Sequence, residues 1–117
     1  KIVIGHLGVD PEVKDRIFKI AETGVFLGID CIGYAYEAWV KMKDPAKAQF
    51  VRELIQAGFL HRITISQDLI RKLYLKHYYG IGYDYLLRHF VPMLEAAGVT
   101  PAEIDTLLRG NPQALFA

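Results

Sequence analysis

A single cysteine among 117 residues, Cys31, excludes an internal disulfide framework and suits a reducing compartment. No apolar run reaches the roughly eighteen residues that a membrane-spanning helix needs. The opening residues, Lys1-Ile2-Val3-Ile4-Gly5-His6, lack the long apolar stretch of a signal peptide. Neither sign of charge is in excess: fourteen Lys and Arg against thirteen Asp and Glu leave +1, which offers nothing to nucleic acid or to an anionic membrane. Short-period repeats, low-complexity stretches and dividing linkers are absent too. What the chain has is ordinary globular composition, 52% hydrophobic and 23% charged. One cytoplasmic domain over residues 1–117, or a piece of one, is expected.

Three short apolar runs stand out: Ile2-Val3-Ile4, Val25-Phe26-Leu27-Gly28-Ile29 and Arg62-Ile63-Thr64-Ile65-Ser66. The first, continuous and β-branched, reads as a strand buried on both faces, and the other two look alike. Helix starts are legible from proline. Asp10-Pro11, Asp44-Pro45, Thr100-Pro101 and Asn111-Pro112 each place an oxygen-bearing side chain at the N-cap and a ring at the first helical position, where no donor is lost. Thr100 with Glu103 adds a capping box. Apolar spacing predicts helices over about 11–23, 45–57 and 83–97, and two short ones over about 101–108 and 112–116. Pro92, inside the third, predicts a kink or a late start because the Arg88 carbonyl loses its donor.

The resulting order, β-α-β-α-β-α-α-α, is that of parallel βαβ units. Three parallel strands with both edges open make a poor free-standing sheet. Further strands, from upstream sequence or from another chain, are therefore expected to complete it. A core strand at the second residue, with no cap or tail before it, points to missing upstream sequence.

In parallel α/β folds the active site forms beyond the C-terminal strand ends. Those ends carry His6, Asp30-Cys31 and Asp68. Imidazole and carboxylate arriving from several strands suit a divalent metal. Structural alternatives stand beside this: His6 hydrogen-bonded without a ligand, Asp68 capping its turn, Asp30 bracing backbone or a neighbouring side chain. A thiol-catalysis pair of Cys31 and His6 is a further alternative, but no residue pattern orients one. The loops after strands two and three, 30–43 and 69–82, are long, and all seven tyrosines and the lone tryptophan fall in or just after them. This aromatic wall suits an apolar or amphiphilic small molecule, with about half of the rings expected merely to pack the loops. Gly80-Ile81-Gly82 follows no strand and lacks a third glycine, so it reads as a loop end.

The segments Ile4-Gly5-His6-Leu7-Gly8, Gly28-Ile29-Asp30, Ile65-Ser66-Gln67-Asp68, Gly82-Tyr83-Asp84-Tyr85 with Phe90-Val91-Pro92, and Asn111-Pro112 occur in this order. Together they resemble the C-terminal portion of the phosphotriesterase family in the metal-dependent amidohydrolase superfamily, over essentially the whole chain. The resemblance implies an α/β fold, namely strands six to eight of a (β/α)8 TIM barrel. It implies two divalent ions, zinc first, with cobalt, manganese or iron as alternatives. His6 would bind the more exposed ion. Asp68 would bind the more buried one, touch the bridging hydroxide and take up its proton. Asp10 and Asp30 would support these groups, and Cys31, Tyr34, Trp39, Tyr74 and Tyr79 would meet the substrate. The implied reaction is hydrolysis of a lactone or carboxylic ester, with phosphotriesters as promiscuous substrates, in a homodimer of the full-length barrel.

Departures from the family matter as well. Its His-x-His pair, carboxylated lysine and strand-five histidine have no counterpart here, so the isolated chain is expected to be inactive. Many members place His or Arg directly after the aspartate ending strand seven, where this chain has Cys31. Many place an acidic residue after the His-x-Gly turn, where this chain has Val9 and then Asp10. The competing expectation is a non-catalytic half-barrel, an interaction module completed by a partner chain. A phosphate-binding fragment would need a glycine cluster at a helix start after strand two or three, and none is there.

Overall fold

Strands β1 (Val3–Ile4), β2 (Phe26–Ile29) and β3 (Ile63–Ile65) form one parallel sheet in that order in the computed structural model, which describes residues 1–117. Helix α1 (Lys14–Glu22) carries the chain from β1 to β2, and α2 (Asp44–Gln56) carries it from β2 to β3. Helices α3 (Val91–Ala96), α4 (Pro101–Asp105) and α5 (Asn111–Phe116) follow. The register sets Leu27 beside both Ile4 and Ile63, Gly28 beside Thr64, and Ile29 beside Ile65. Because strand side chains alternate, Leu27, Ile29 and Ile63 share one face. There they join Ile17, Phe50, Leu54 and Phe90 in the main core. On the other face Val3, Gly28 and Thr64 line an open groove of about 340 Å³, flanked by Leu115 and Phe116 of α5. No helix is long and apolar enough to cross a membrane.

The middle strand is buried throughout, but β1 is not the doubly buried strand that its β-branched run suggests. Val3 stays 47% and Ile4 38% exposed, because β1 has a hydrogen-bonded neighbour on one side only.

Two of the four residues preceding proline cap as expected. Asp10 accepts from the Glu12 N–H, and Thr100 with Glu103 forms the capping box. Asp44 and Asn111 do not cap, because tertiary partners take their side chains. Asp44 turns inward to Gly33 and Tyr85. Asn111 donates from Nδ2 to the carbonyls of Leu60 (2.7 Å) and Ile63 (2.6 Å), which pins α5 to the start of β3.

Pro92 delays its helix. A wide turn over Leu86–Phe90, in which the Val91 N–H reaches the Leu86 carbonyl, precedes α3. The same device recurs before Pro112, where a wide turn over Thr106–Gly110 joins α4 to α5. The two short C-terminal helices are thus one continuous helical run, not two separate pieces. Each proline ring crowds the carbonyl four residues back, and the wider turn moves that carbonyl aside.

Asn111→Ala would leave two carbonyls without their side-chain donor, so it should cost about 2 kcal/mol, read from the urea midpoint. An unchanged midpoint would contradict this. The Thr100 N–H, 2.7 Å from Glu103 Oε2, holds the Glu103 carboxyl below its ordinary 4.5. Stability from this contact is complete above the ordinary value and is lost as pH falls through the lowered folded one. Glu103→Gln should therefore be less stable than wild type at neutral pH, with the gap closing in acid. A gap that does not change with pH would refute the cap's electrostatic role.

Candidate active site

A left-handed residue follows the end of each strand: His6 (φ 60°) after β1, Cys31 (φ 53°) after β2 and Asp68 (φ 55°) after β3. None is glycine. An L side chain in this region costs on the order of 1 kcal/mol and persists only where its surroundings over-determine it. Here a side chain grips the backbone of each. Asp30 Oδ2 accepts from the His6 N–H (2.8 Å), the Lys47 ammonium donates to the Cys31 carbonyl, and the Tyr34 hydroxyl donates to the Asp68 carbonyl.

The three side chains meet. Cys31 Sγ lies 3.6 Å from His6 Nδ1 and 3.9 Å from Asp68 Oδ2. His6 Nδ1–H donates to Asp30 Oδ1 (2.9 Å), so Asp30 holds both the backbone and the ring of His6. Donor atoms of His6, Asp30 and Cys31 all lie within 4.8 Å of one another. Behind them stands a buried charge pair. Lys47 Nζ is 3.8 Å from Asp44 Oδ1, while Asp44 Oδ2 accepts from the Gly33 N–H and the Tyr85 hydroxyl, each at 2.9 Å.

The hydrogen bond that His6 donates to Asp30, then the Asp30 charge, raise the His6 imidazole above its ordinary 6.5, although that ring is 59% exposed. Burial, then the Asp30 charge, push the Cys31 thiol up to about 12. A thiol so placed is protonated at neutral pH and is no ready nucleophile, even though the structure gives it the histidine neighbour that no sequence pattern signalled. Burial lowers Lys47, against the opposing pull of Asp44.

Aromatic rings continue the site outward. The Trp39 ring stands edge-on to His6 (6.4 Å) and to Tyr34 (6.0 Å), and Tyr34 meets Tyr74 at 5.0 Å. Between the two long loops opens a groove of about 400 Å³, lined by Tyr34, Tyr36, Leu73, Tyr74 and Tyr79, with one carboxylate, Glu37. Glu37 accepts from the Tyr74 hydroxyl and lies 3.6 Å from Arg71. Of the residues expected to meet a substrate, Tyr34, Tyr74 and Tyr79 line this groove, whereas Cys31 and Trp39 lie with His6. Asp10 is engaged elsewhere, holding Glu12 N–H (3.0 Å) and Lys41 Nζ (2.9 Å).

Lys47, Asp44 and Gln67 escape motif reading. Lys47 does leave a signal: it falls on the apolar stripe of α2 with Ala48, Val51, Leu54 and Ile55, and a lysine there must find a buried partner or snorkel out. Gln67 leaves none. It sits next to Asp68 and donates from Nε2 to the Gly82 carbonyl (2.9 Å), tying the third strand end to the second loop. Gly80 in that loop is required by contact, since a Cβ there would come 2.2 Å from the Tyr74 backbone.

Removing one partner of the buried pair strands the other. Lys47→Met should therefore cost about 3 kcal/mol in chemical denaturation. Adding Asp44→Asn should cost less than the sum of the single changes, and strict additivity would show that the two groups do not act as a pair.

Comparison with known proteins then assigns the chain. The sequence model of the phosphotriesterase family matches residues 1–116. The phosphotriesterase homology protein of Escherichia coli is 32% identical over 117 residues, which is 99% of this chain and 38% of that protein. Its crystal structure, with phosphate in the active site, superposes with a TM-score of 0.88 over 98% of this chain and 38% of that one. The N-acetyltaurine hydrolase of Danio rerio is 30% identical over 97% of this chain and 34% of its own length. A lactonase from Listeria monocytogenes superposes with a TM-score of 0.82 at 27% identity, over 98% of this chain and 35% of that one. The chain thus spans little more than a third of these relatives. Its sequence, its parallel α/β architecture and these superpositions together place it in the phosphotriesterase family.

Proposed function

We propose that the chain supplies strands six to eight of an eight-stranded barrel hydrolase of the phosphotriesterase type. Its preferred substrates would be lactones or carboxylic esters, with phosphotriesters secondary. The observation that carries this reading is the approach of His6 and Asp68 to one sulfur, beyond the C-terminal ends of three parallel strands. The names of two relatives, lactonase and N-acetyltaurine hydrolase, support a hydrolase and favour an acyl centre over phosphorus.

The donor chemistry fits divalent ions, with zinc as first choice. His6 keeps free the ring nitrogen that Asp30 does not hold, and the Asp68 carboxylate meets only a long thiol contact. His6 and Asp68 would hold two such ions, with the remaining ligands contributed by the rest of the barrel. Bound there, the ions would lower the pKa of water towards about 7 and polarise the carbonyl to be attacked.

The chain's own residues would do the rest. Asp68 would accept the proton of the attacking water at a carboxylate oxygen. Asp30 keeps the His6 ring in one orientation. Trp39 stands edge-on to that ring. The groove of Tyr34 and Tyr74 would take the apolar part of the acyl group, with Glu37 disfavouring a second negative charge on the substrate. A homodimer of the complete barrel is the assembly we expect.

The test is a chimera that carries this chain behind the upstream portion of the Escherichia coli relative. Lactone hydrolysis by the metal-loaded chimera should fall at least about a hundredfold on Asp68→Asn, with circular dichroism unchanged. Undiminished turnover in that variant would end the assignment. A well-behaved complex of the 117-residue chain with an unrelated partner, free of metal, would favour the interaction module instead.

A further inference from the structure

Cys31 has no part in the reaction just described, yet its sulfur occupies the centre of the site. It is fully buried, as is most of Asp30, while the His6 ring reaches solvent. The sulfur makes long contacts, 3.6 Å to His6 Nδ1 and 3.9 Å to Asp68 Oδ2.

We propose that His6, Asp30 and Cys31 form a mononuclear, thiolate-containing site for a thiophilic divalent cation such as Zn²⁺, Co²⁺ or Cd²⁺. This site shares the imidazole with the hydrolase reading but needs neither Asp68 nor hydrolysis.

Geometry supports it first. Zinc bonds of about 2.0–2.1 Å to nitrogen and about 2.3 Å to sulfur, at tetrahedral angles, set those donors roughly 3.5 Å apart. The observed separation of His6 Nδ1 and Cys31 Sγ is 3.6 Å. The distance from Nδ1 to Asp30 Oδ1, now 2.9 Å and spanned by a proton, needs to open only slightly for a cation to replace that proton. Charge supports it second. A carboxylate, a thiolate and a neutral imidazole together balance a dication, so the buried ion carries no uncompensated charge. One proton is released to solvent, that of the thiol, while the imidazole proton moves from Nδ1 to the exposed Nε2, so the ring binds through Nδ1 and stays neutral. Direct coordination to a divalent ion deprotonates a thiol outright. Support from outside the donor set comes third. Lys47 grips the Cys31 carbonyl and the Asp30 carboxylate grips the His6 amide, so two donors are held before any ion arrives. Because the imidazole reaches solvent, the ion's remaining position would be open, as in zinc sites that bind an exchangeable water or ligand.

Sulfur ligation has a specific signature, and this chain has one cysteine to produce it. Titrating the reduced 117-residue chain with Co²⁺ should give a thiolate-to-cobalt charge-transfer band in the near ultraviolet, saturating at about one ion per chain. It should also give intense visible bands of tetrahedral cobalt. Denaturant should abolish both. Cys31→Ser, with its circular dichroism retained, should lose the charge-transfer band. Asp30→Asn should weaken cobalt binding at least about tenfold. Asp68→Asn should leave the spectrum unchanged, so a failure of the hydrolase reading would not touch this result. Cobalt that binds the folded chain without the charge-transfer band would overturn the proposal, and so would no binding at all. Equal affinity in Asp30→Asn would remove the carboxylate from the donor set and overturn it as stated.

Discussion

Three residues that are not glycine hold a left-handed backbone at three neighbouring strand ends, and the site depends on the side chains that keep them there. At each position the strain is opposed by one hydrogen bond to the residue's own main chain: Asp30 to His6, Lys47 to Cys31, Tyr34 to Asp68. Those three gripping residues have other contacts that fix them in turn. Asp30 also holds the His6 ring, Lys47 faces Asp44, and Tyr34 packs between Trp39 and Tyr74. The rim is therefore a linked set: loosening one grip frees a donor atom and releases a loop at once. Strain held in this way characterises sites whose geometry has been set before a ligand arrives.

The buried pair Lys47 and Asp44 is the unusual part of that set. A fully buried lysine costs stability unless it is paired and hydrogen-bonded, and this one is both. Its partner spends its second oxygen on Gly33 and Tyr85, so the charge pair joins α2, the loop after β2 and the segment leading into α3. The aromatic groove leans on the same support, because Gly33 is one of its lining residues. Chemistry at the strand ends and shape in the loops are thus anchored by one helix.

The skeleton was legible because its signals are local. Strand runs ended where β-branched residues gave way to Gly5, Asp30 and Gln67, and crossover helices between them dictated a parallel sheet. Pro92 announced its interruption. What escaped the sequence depended on distant partners. Asp44-Pro45 and Asn111-Pro112 have the same local form as Asp10-Pro11, yet a tyrosine forty-one positions on and carbonyls about fifty positions back claimed the side chains of the first two. The exposure of β1 followed from the absence of a neighbour, which no property of Ile2-Val3-Ile4 encodes. At the site, the strand-end positions of His6, Asp30 and Asp68 were readable. The left-handed turns were not, because side chains from other segments impose them. Cys31 stood out as a strand-end residue and as a departure from the family pattern, but its central place emerged from the packing.

The most direct measurement of this arrangement is nuclear Overhauser spectroscopy on the reduced, metal-free chain. The account predicts cross-peaks from the Cys31 β-protons to both the His6 ring and the Asp68 β-protons, together with contacts between the His6 and Trp39 rings. A folded chain whose Cys31 protons see neither His6 nor Asp68 would contradict it.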